Sequence, residues 1–125
     1  MHTVAELRSF RKHAEQAGLS EDDISRLIQL IAATPDAGDE IKGTGGCRKV
    51  RFAIHGNNKG KSGGVRTITF YSGASMPVFL ITVFGKTQKV TLTKAECNEL
   101  KKLTEALSDA YSRRVAQLSE RGATA

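Results

Sequence analysis

Apolar residues recur with two different spacings along this 125-residue chain, and the spacing changes after the first third. In residues 3–17 the apolar side chains are three or four positions apart, which predicts a short amphipathic helix that Gly18 ends. These positions are Val4, Leu7, Phe10 and Ala14. A second helix is predicted from Ser20, a good N-cap, with three acids in the first turn, where the helix dipole favours negative charge. Pro35 ends this helix.

The middle of the chain alternates between apolar and polar residues, which is typical of strands. After the loop TPDAGDEIKGTGG, with a short extended piece at 41–42, the segment KVRFAIH places three apolar side chains on one side. These are Val50, Phe52 and Ile54. We interpret this segment as a strand with one buried face. A basic, glycine-rich connection, GNNKGKSGG, leads to two further β-rich runs, VRTITFYSG and MPVFLITVFG.

The last third predicts one long helix ending near Leu118, opened by a capping box of Thr93 and Glu96. The predicted fold class is therefore α+β, with two N-terminal helices, a three- to four-stranded mostly antiparallel sheet and a C-terminal helix. We expect a single domain over residues 1–125, in which 118–125 form a frayed tail.

Composition narrows the class of protein. Two cysteines, Cys47 and Cys97, show no metal-ligand spacing, and we interpret them as small apolar residues in a reducing compartment. The start of the chain lacks the apolar core of a signal peptide, and the run VFLITVF is too short to span a bilayer. We therefore expect a cytoplasmic protein with no metal, no cofactor and no membrane partner.

Positive charge is concentrated in one part of the chain. The net charge is +6, but residues 41–95 contain ten Lys or Arg and no Asp or Glu. The flanks hold the other nine bases and all thirteen acids, so their formal charge is −4. Because solvated surfaces usually mix both signs, a block of one sign predicts a polyanionic partner.

The acid-free block also limits the chemistry. Metal-dependent phosphate chemistry needs clustered carboxylates, and a single histidine, His55, gives little support for a catalytic triad. Lys49 and Arg51 are two positions apart and so share a strand face, and a hairpin would bring Arg66 near them. Such a surface suits metal-free cleavage of RNA, in which the 2′-hydroxyl attacks the neighbouring phosphate and cations stabilise the added charge.

Several spaced motifs resemble the RelE/HigB family of bacterial type II toxins. They are TPDAGDEI, GTGG-RK-R at the first long strand, GKSGGVR before the next, and K-x-x-K-x-x-L-T leading into the last helix. The resemblance covers roughly residues 3–107. It implies a RelE-like fold and a metal-independent endoribonuclease that cuts messenger RNA in the A site of the 70S ribosome, inhibits translation and leaves a 2′,3′-cyclic phosphate.

The resemblance also implies partners. Toxins of this family are held inactive by a small antitoxin encoded beside them. In this branch the antitoxin usually carries a helix-turn-helix DNA-binding domain, so we expect the pair to bind its operator DNA through the antitoxin.

Individual residues match the family's site. Lys49 matches a candidate base, Arg51 a phosphate contact, and Arg66 an arginine that stabilises the charged transition state. Lys86 and Lys89 match a basic cluster after the last long strand, where one of them protonates the 5′-oxygen leaving group or binds the backbone. Four further residues are expected to bind RNA: Arg48, His55, Lys59 and Lys61.

This chain departs from some family members at three positions. Arg51 replaces a second lysine, Thr87 an arginine and Thr93 a tyrosine, which leaves the proton donor open. His55, predicted on the same strand face as Lys49, is one candidate, and a surface histidine is the alternative. Two other functions would use the same surface: a non-catalytic module that binds ribosomal RNA and blocks translation, and a basic face that docks an acidic antitoxin segment after activity has been lost.

Overall fold

The computed structural model describes residues 2–54, 64–85 and 91–124, with the side chains of the last helix given as far as residue 113. Five strands and three helices follow one another in this part of the chain in the order β1, α1, α2, β2, β3, β4, β5, α3. The strands are β1 (Val4–Glu6), β2 (Asp39–Glu40), β3 (Cys47–Ala53), β4 (Gly64–Phe70) and β5 (Val78–Gly85). The helices are α1 (Phe10–Gln16), α2 (Glu21–Ala33) and α3 (Lys94–Thr124).

The five strands form one sheet in the order β1-β5-β4-β3-β2. The edge strand β1 runs parallel to β5, and the other neighbouring pairs are antiparallel. This confirms the predicted α+β class, with two N-terminal helices, a mostly antiparallel sheet and a C-terminal helix. The sheet has five strands where three or four were predicted, because each edge adds a strand of only two or three residues.

The prediction of a helix over residues 3–17 is wrong at its start, where β1 forms instead. This strand pairs with the first three residues of β5, and α1 begins only at Phe10. Residues three apart share a face in a helix but lie on opposite faces of a strand. Val4 and Leu7 accordingly pack into two different apolar clusters. Their helical spacing in the sequence was therefore a coincidence.

The predicted starts of the other two helices are confirmed. Ser20 Oγ accepts a hydrogen bond from Asp23 N at 3.1 Å, and Ser20 N donates to the Asp23 carboxylate at 3.0 Å. Thr93 N donates to Glu96 Oε1 at 2.8 Å, and Glu96 N donates to Thr93 Oγ1 at 3.1 Å. Both are capping boxes, which satisfy the otherwise unpaired first N–H groups of a helix. The second helix ends two residues before Pro35, as predicted.

The two faces of the sheet carry separate apolar clusters. The α1–α2 face is covered by the two short helices, whose buried side chains meet those of every long strand. They are Phe10, Ala14, Ile24, Leu27 and Ile31 from the helices, and Val50, Phe52, Val65, Val78, Leu80 and Val83 from the strands. The α3 face is covered by the first half of α3, which packs over Cys47, Ile68, Phe70 and Ile81.

The loop between β2 and β3 ties α3 to the sheet. The extended piece predicted at 41–42 is β2, Asp39–Glu40, two residues earlier than predicted. Thr104 of α3 is buried, and its hydroxyl lies 3.0 Å from the carbonyl oxygen of Thr44 in the loop. Gly45 has a φ of +76°, and a Cβ there would lie 2.6 Å from Thr104 Oγ1. The helix then continues to Thr124, past residue 118 where the prediction placed its end.

This close approach predicts that Gly45→Ala destabilises the fold more than Gly43→Ala. Gly43 has a similar φ of +79° but nothing within 4 Å of a Cβ, so it reports the backbone cost alone. We expect about 1–2 kcal/mol for Gly43→Ala and a further 1 kcal/mol or so for Gly45→Ala from overpacking against Thr104. Chemical denaturation of both variants measures the difference. Equal losses of stability in the two variants would show that a Cβ at residue 45 does not clash with Thr104 of α3.

The two cysteines differ in accessibility. Cys47 is fully buried at the start of β3, whereas Cys97 on α3 is partly exposed. Burial raises the pKa of the Cys47 thiol to about 11, and a side-chain hydrogen bond with Thr44 acts in the opposite direction. Because the thiolate is the reactive species, Cys47 is inert at neutral pH.

We therefore expect a thiol reagent at pH 8 to modify one cysteine per folded chain, and that cysteine is Cys97. The variant Cys97→Ser should react only after unfolding in denaturant, when Cys47 is released. Mass spectrometry of the labelled chain makes the assignment. Rapid labelling of Cys47 in the folded chain would contradict the burial described here.

Candidate functional site

Three cations predicted as site residues lie together on the α3 face of the sheet. Arg51 of β3 is directly opposite Arg66 of β4, and Lys49 is directly opposite Ile68, the next residue of β4 on the same face. On the far side of β4, Phe84 of β5 is opposite Arg66. We call Lys49, Arg51 and Arg66 the basic cluster. The structure thus brings together residues 17 positions apart in the sequence, as the predicted hairpin required.

The basic cluster is accessible and like-charged. Arg51 is exposed, and Lys49 and Arg66 are partly exposed. Directly opposite residues of antiparallel strands have Cβ atoms about 4.5–5.5 Å apart, where two like charges destabilise the pair. Among the described residues, none of the salt bridges involves a member of the cluster. The cluster is therefore a concentration of positive charge without a carboxylate partner in this part of the chain.

Burial on the opposite face fixes the orientation of the cluster. Val50 and Phe52 alternate with the two cations of β3 and lie in the α1–α2 cluster, 4% and 9% exposed. The guanidinium of Arg26 in α2 lies 5.0 Å from the centre of the Phe52 ring, a cation–π contact that covers the end of this apolar row. Rotating β3 to bury Lys49 or Arg51 would expose these side chains to water.

The other predicted site residues are placed differently. Arg48 lies on the α1–α2 face, where its guanidinium donates to the carbonyl oxygen of Gly38 at 3.1 Å and its cross-strand neighbour is Glu40. The structure therefore does not bring Arg48 together with the basic cluster. Five predicted residues lie outside the described part of the chain: Lys86, Lys89, His55, Lys59 and Lys61.

Of the departures from the resembled family, Thr93 has a structural role. Its hydroxyl caps α3 by accepting the N–H of Glu96. Thr87 lies outside the described residues.

A cavity of about 270 Å³ next to the basic cluster was not predicted from the sequence. His13 of α1 reaches Thr82 of β5, with 2.8 Å between the ring Nδ1 and the threonine Oγ1. These two residues are 69 positions apart, so no local pattern signals their contact. The lining residues that matter for its chemistry are His13, Gln16, Thr82, Phe84, Leu92 and Glu96.

The described residues supply no other obvious centre for chemistry. They contain no group of three or more His, Cys, Asp or Glu side chains close enough to hold a metal ion. No helix among them is long and apolar enough to cross a membrane. What the arrangement offers is a cationic surface that matches phosphate oxygens, since Arg presents a planar fork of donors and Lys a point charge.

Comparisons with known proteins agree with this fold. Residues 3–125 match the family described as the RelE toxin of the RelE / RelB toxin–antitoxin system. Among solved structures, the chain is similar to E. coli toxin RelE in the free state, in a variant with two arginines replaced by alanine. The TM-score is 0.50 at 14% sequence identity, and the match covers 70% of this chain and 86% of that chain. At this identity the structural likeness shows the fold alone.

The opposition of Arg51 and Arg66 predicts that removing one charge stabilises the fold. We expect Arg51→Gln to raise the free energy of unfolding by about 0.2–1 kcal/mol at low salt, with a smaller gain in high salt because ions screen the repulsion. The matched variant Arg48→Gln loses the contact with Gly38 and should lower stability instead. Denaturation at two salt concentrations measures both. A loss of stability for Arg51→Gln would mean that Arg51 has a stabilising partner.

Proposed function

The chain belongs to the RelE toxin family of toxin–antitoxin systems, and from this premise we propose that it is an endoribonuclease that cleaves messenger RNA on the ribosome. The observation that supports this proposal is the basic cluster, in which Lys49, Arg51 and Arg66 lie on one face of the sheet and are exposed or partly exposed. A phosphate bound between two strands is held from two directions, which is the geometry needed to orient an in-line reaction.

In the proposed reaction, the 2′-hydroxyl of the substrate is the nucleophile. Lys49 removes its proton, and the oxygen attacks the adjacent phosphorus. Arg51 holds a non-bridging phosphate oxygen, and Arg66 stabilises the negative charge that accumulates on the phosphorane. The bond to the 5′-oxygen then breaks, and that oxygen takes a proton from Lys86 or Lys89. The products are a 2′,3′-cyclic phosphate and a free 5′-hydroxyl, and no metal is required.

The proposed partners follow from the toxin–antitoxin assignment and from charge. A cognate antitoxin holds the toxin inactive, and through a helix-turn-helix domain it brings the pair to operator DNA. The ribosome supplies the message in a fixed conformation. We further propose that residues 1–125 act as one functional domain in the cytoplasm.

A second candidate is a translation inhibitor that binds RNA through the same cluster without cutting it. The observation in its favour is the capping role of Thr93, which stands where some resembled members have a tyrosine. The two candidates share the basic cluster, so only the fate of the message separates them.

We expect brief expression in bacteria to arrest growth and to produce new 5′ ends inside codons of translated messages. These ends should disappear when translation of the message is blocked. Lys49→Ala and Arg66→Ala should each reduce cleavage about a hundredfold or more, as expected for losing a group that stabilises transition-state charge. Mapping of 5′ ends, with growth curves, makes the measurement.

The matched control is Arg8→Ala, which removes an exposed cation far from the cluster in sequence and should leave cleavage unchanged. Both cluster variants should melt within a few degrees of the native chain, because neither side chain is part of an apolar cluster. Growth arrest with intact messages would refute cleavage and support the second candidate. Absence of toxicity would favour a basic face whose role is to dock the antitoxin.

A further inference from the structure

The cavity beside the basic cluster has a chemistry unlike that of the cluster itself. Phe84 belongs to both places, because it lines the cavity and is the cross-strand partner of Arg66. Thr82, also in the lining, is opposite Ile68, the next β4 residue on the same face as Arg66. Diagonal neighbours on a sheet face are about 7–8 Å apart, within reach of an arginine side chain. The cavity therefore adjoins the phosphate-binding surface on its β5 side.

The described lining of the cavity is mostly uncharged. Its one carboxylate, that of Glu96, accepts the N–H of Thr93 in the capping box of α3. The lining also offers the polar groups of His13, Gln16 and Thr82 around the aromatic ring of Phe84. A flat, uncharged, hydrogen-bonding ligand suits this mixture.

The hydrogen bond with Thr82 orients the histidine. It occupies the Nδ1 atom of His13 at 2.8 Å, so the Nε2 atom is the ring nitrogen left to meet a ligand in the cavity. Gln16, at the end of α1, presents an amide that can both donate and accept. Such groups distinguish nucleobases by their edges, whereas an aromatic ring holds any base by stacking.

The geometry points to a nucleobase subsite in this cavity. The base next to the phosphate at Arg66 enters the cavity, stacks on Phe84 and is read at its edge by His13 and Gln16. The volume of about 270 Å³ is near the lower limit of roughly 300 Å³ for small-ligand pockets, which limits it to a single base. This inference rests on the proposed function, since it takes the phosphate at the basic cluster as part of an RNA chain.

The test is a titration of the full-length chain with the four ribonucleoside 3′-monophosphates and with inorganic phosphate, followed by amide NMR shifts. Inorganic phosphate should move only the amides around Arg51 and Arg66. The nucleotides should in addition move those of His13, Thr82 and Phe84, with affinities that differ among the four bases by about fivefold, the value of one edge hydrogen bond.

Three variants separate stacking from edge reading. Phe84→Leu keeps an apolar side chain but removes the aromatic ring. It should weaken the binding of all four nucleotides by at least about fivefold, while inorganic phosphate binds as before. His13→Asn keeps an amide that can reach Thr82 but lacks the second ring nitrogen, and with Gln16→Ala it should change the ranking of the bases. The matched control for Gln16→Ala is Gln29→Ala, an exposed glutamine of α2 outside the cavity lining, which should change nothing.

The two hypotheses fail in different ways. If inorganic phosphate leaves the amides near Arg51 and Arg66 unmoved, the phosphate site of the proposed function is wrong, and the subsite fails with it. If phosphate binds there but the nucleotides move no amide of the cavity, the subsite alone is overturned. The subsite is also overturned if His13→Asn and Gln16→Ala leave the ranking of the four bases intact.

Discussion

Burial of Val50 and Phe52 against α1 and α2 is the constraint on which the site depends. Because side chains alternate along a strand, a slip of one residue in β3 would expose these two and bury Lys49 and Arg51 without partners, which is costly. The burial thus excludes a one-residue slip against β4, and in the register that forms Arg51 is directly opposite Arg66. The apolar core and the basic cluster are two consequences of one register.

The position of α3 decides how much of the sheet remains open. Its first half packs over the end of the α3 face where Cys47, Ile68 and Phe70 are buried, and the contact of Thr104 with the loop at Thr44 holds it there. On the same face, the next cross-strand pair after Lys49 and Ile68 is Arg51 and Arg66, and these two side chains stay accessible. The same helix begins at a capping box beside the cavity, so its first turn forms part of the cavity lining.

The elements that could be predicted from the sequence are those with a pattern among neighbouring residues. Alternation identified β3 and its two faces, and side-chain caps located the starts of α2 and α3. The patterns did not predict β1, because a three-residue parallel edge strand is stabilised by pairing with residues more than 70 positions away. The contact of His13 with Thr82 was not predicted for the same reason, since the two residues are 69 positions apart. The charge block in the sequence placed Arg48 and Lys49 in one group because they are consecutive. Successive side chains of a strand point to opposite faces, so in β3 these two residues lie on opposite sides of the sheet.

The register that buries the apolar residues of β3 also places two like charges, Arg51 and Arg66, opposite each other. A locally unfavourable arrangement of this kind is typical of functional sites. Repulsion between the two guanidinium groups is unfavourable in the folded chain, and it is relieved when an anion lies between them. A ligand that binds only the folded state stabilises it, so an anion bound by the cluster should raise the free energy of unfolding. A carboxylate placed nearby would remove the repulsion permanently, and it would also compete with the phosphate of the proposed RNA substrate. The absence of Asp and Glu from residues 41–95 therefore maintains the positive charge on which the proposed binding of RNA depends.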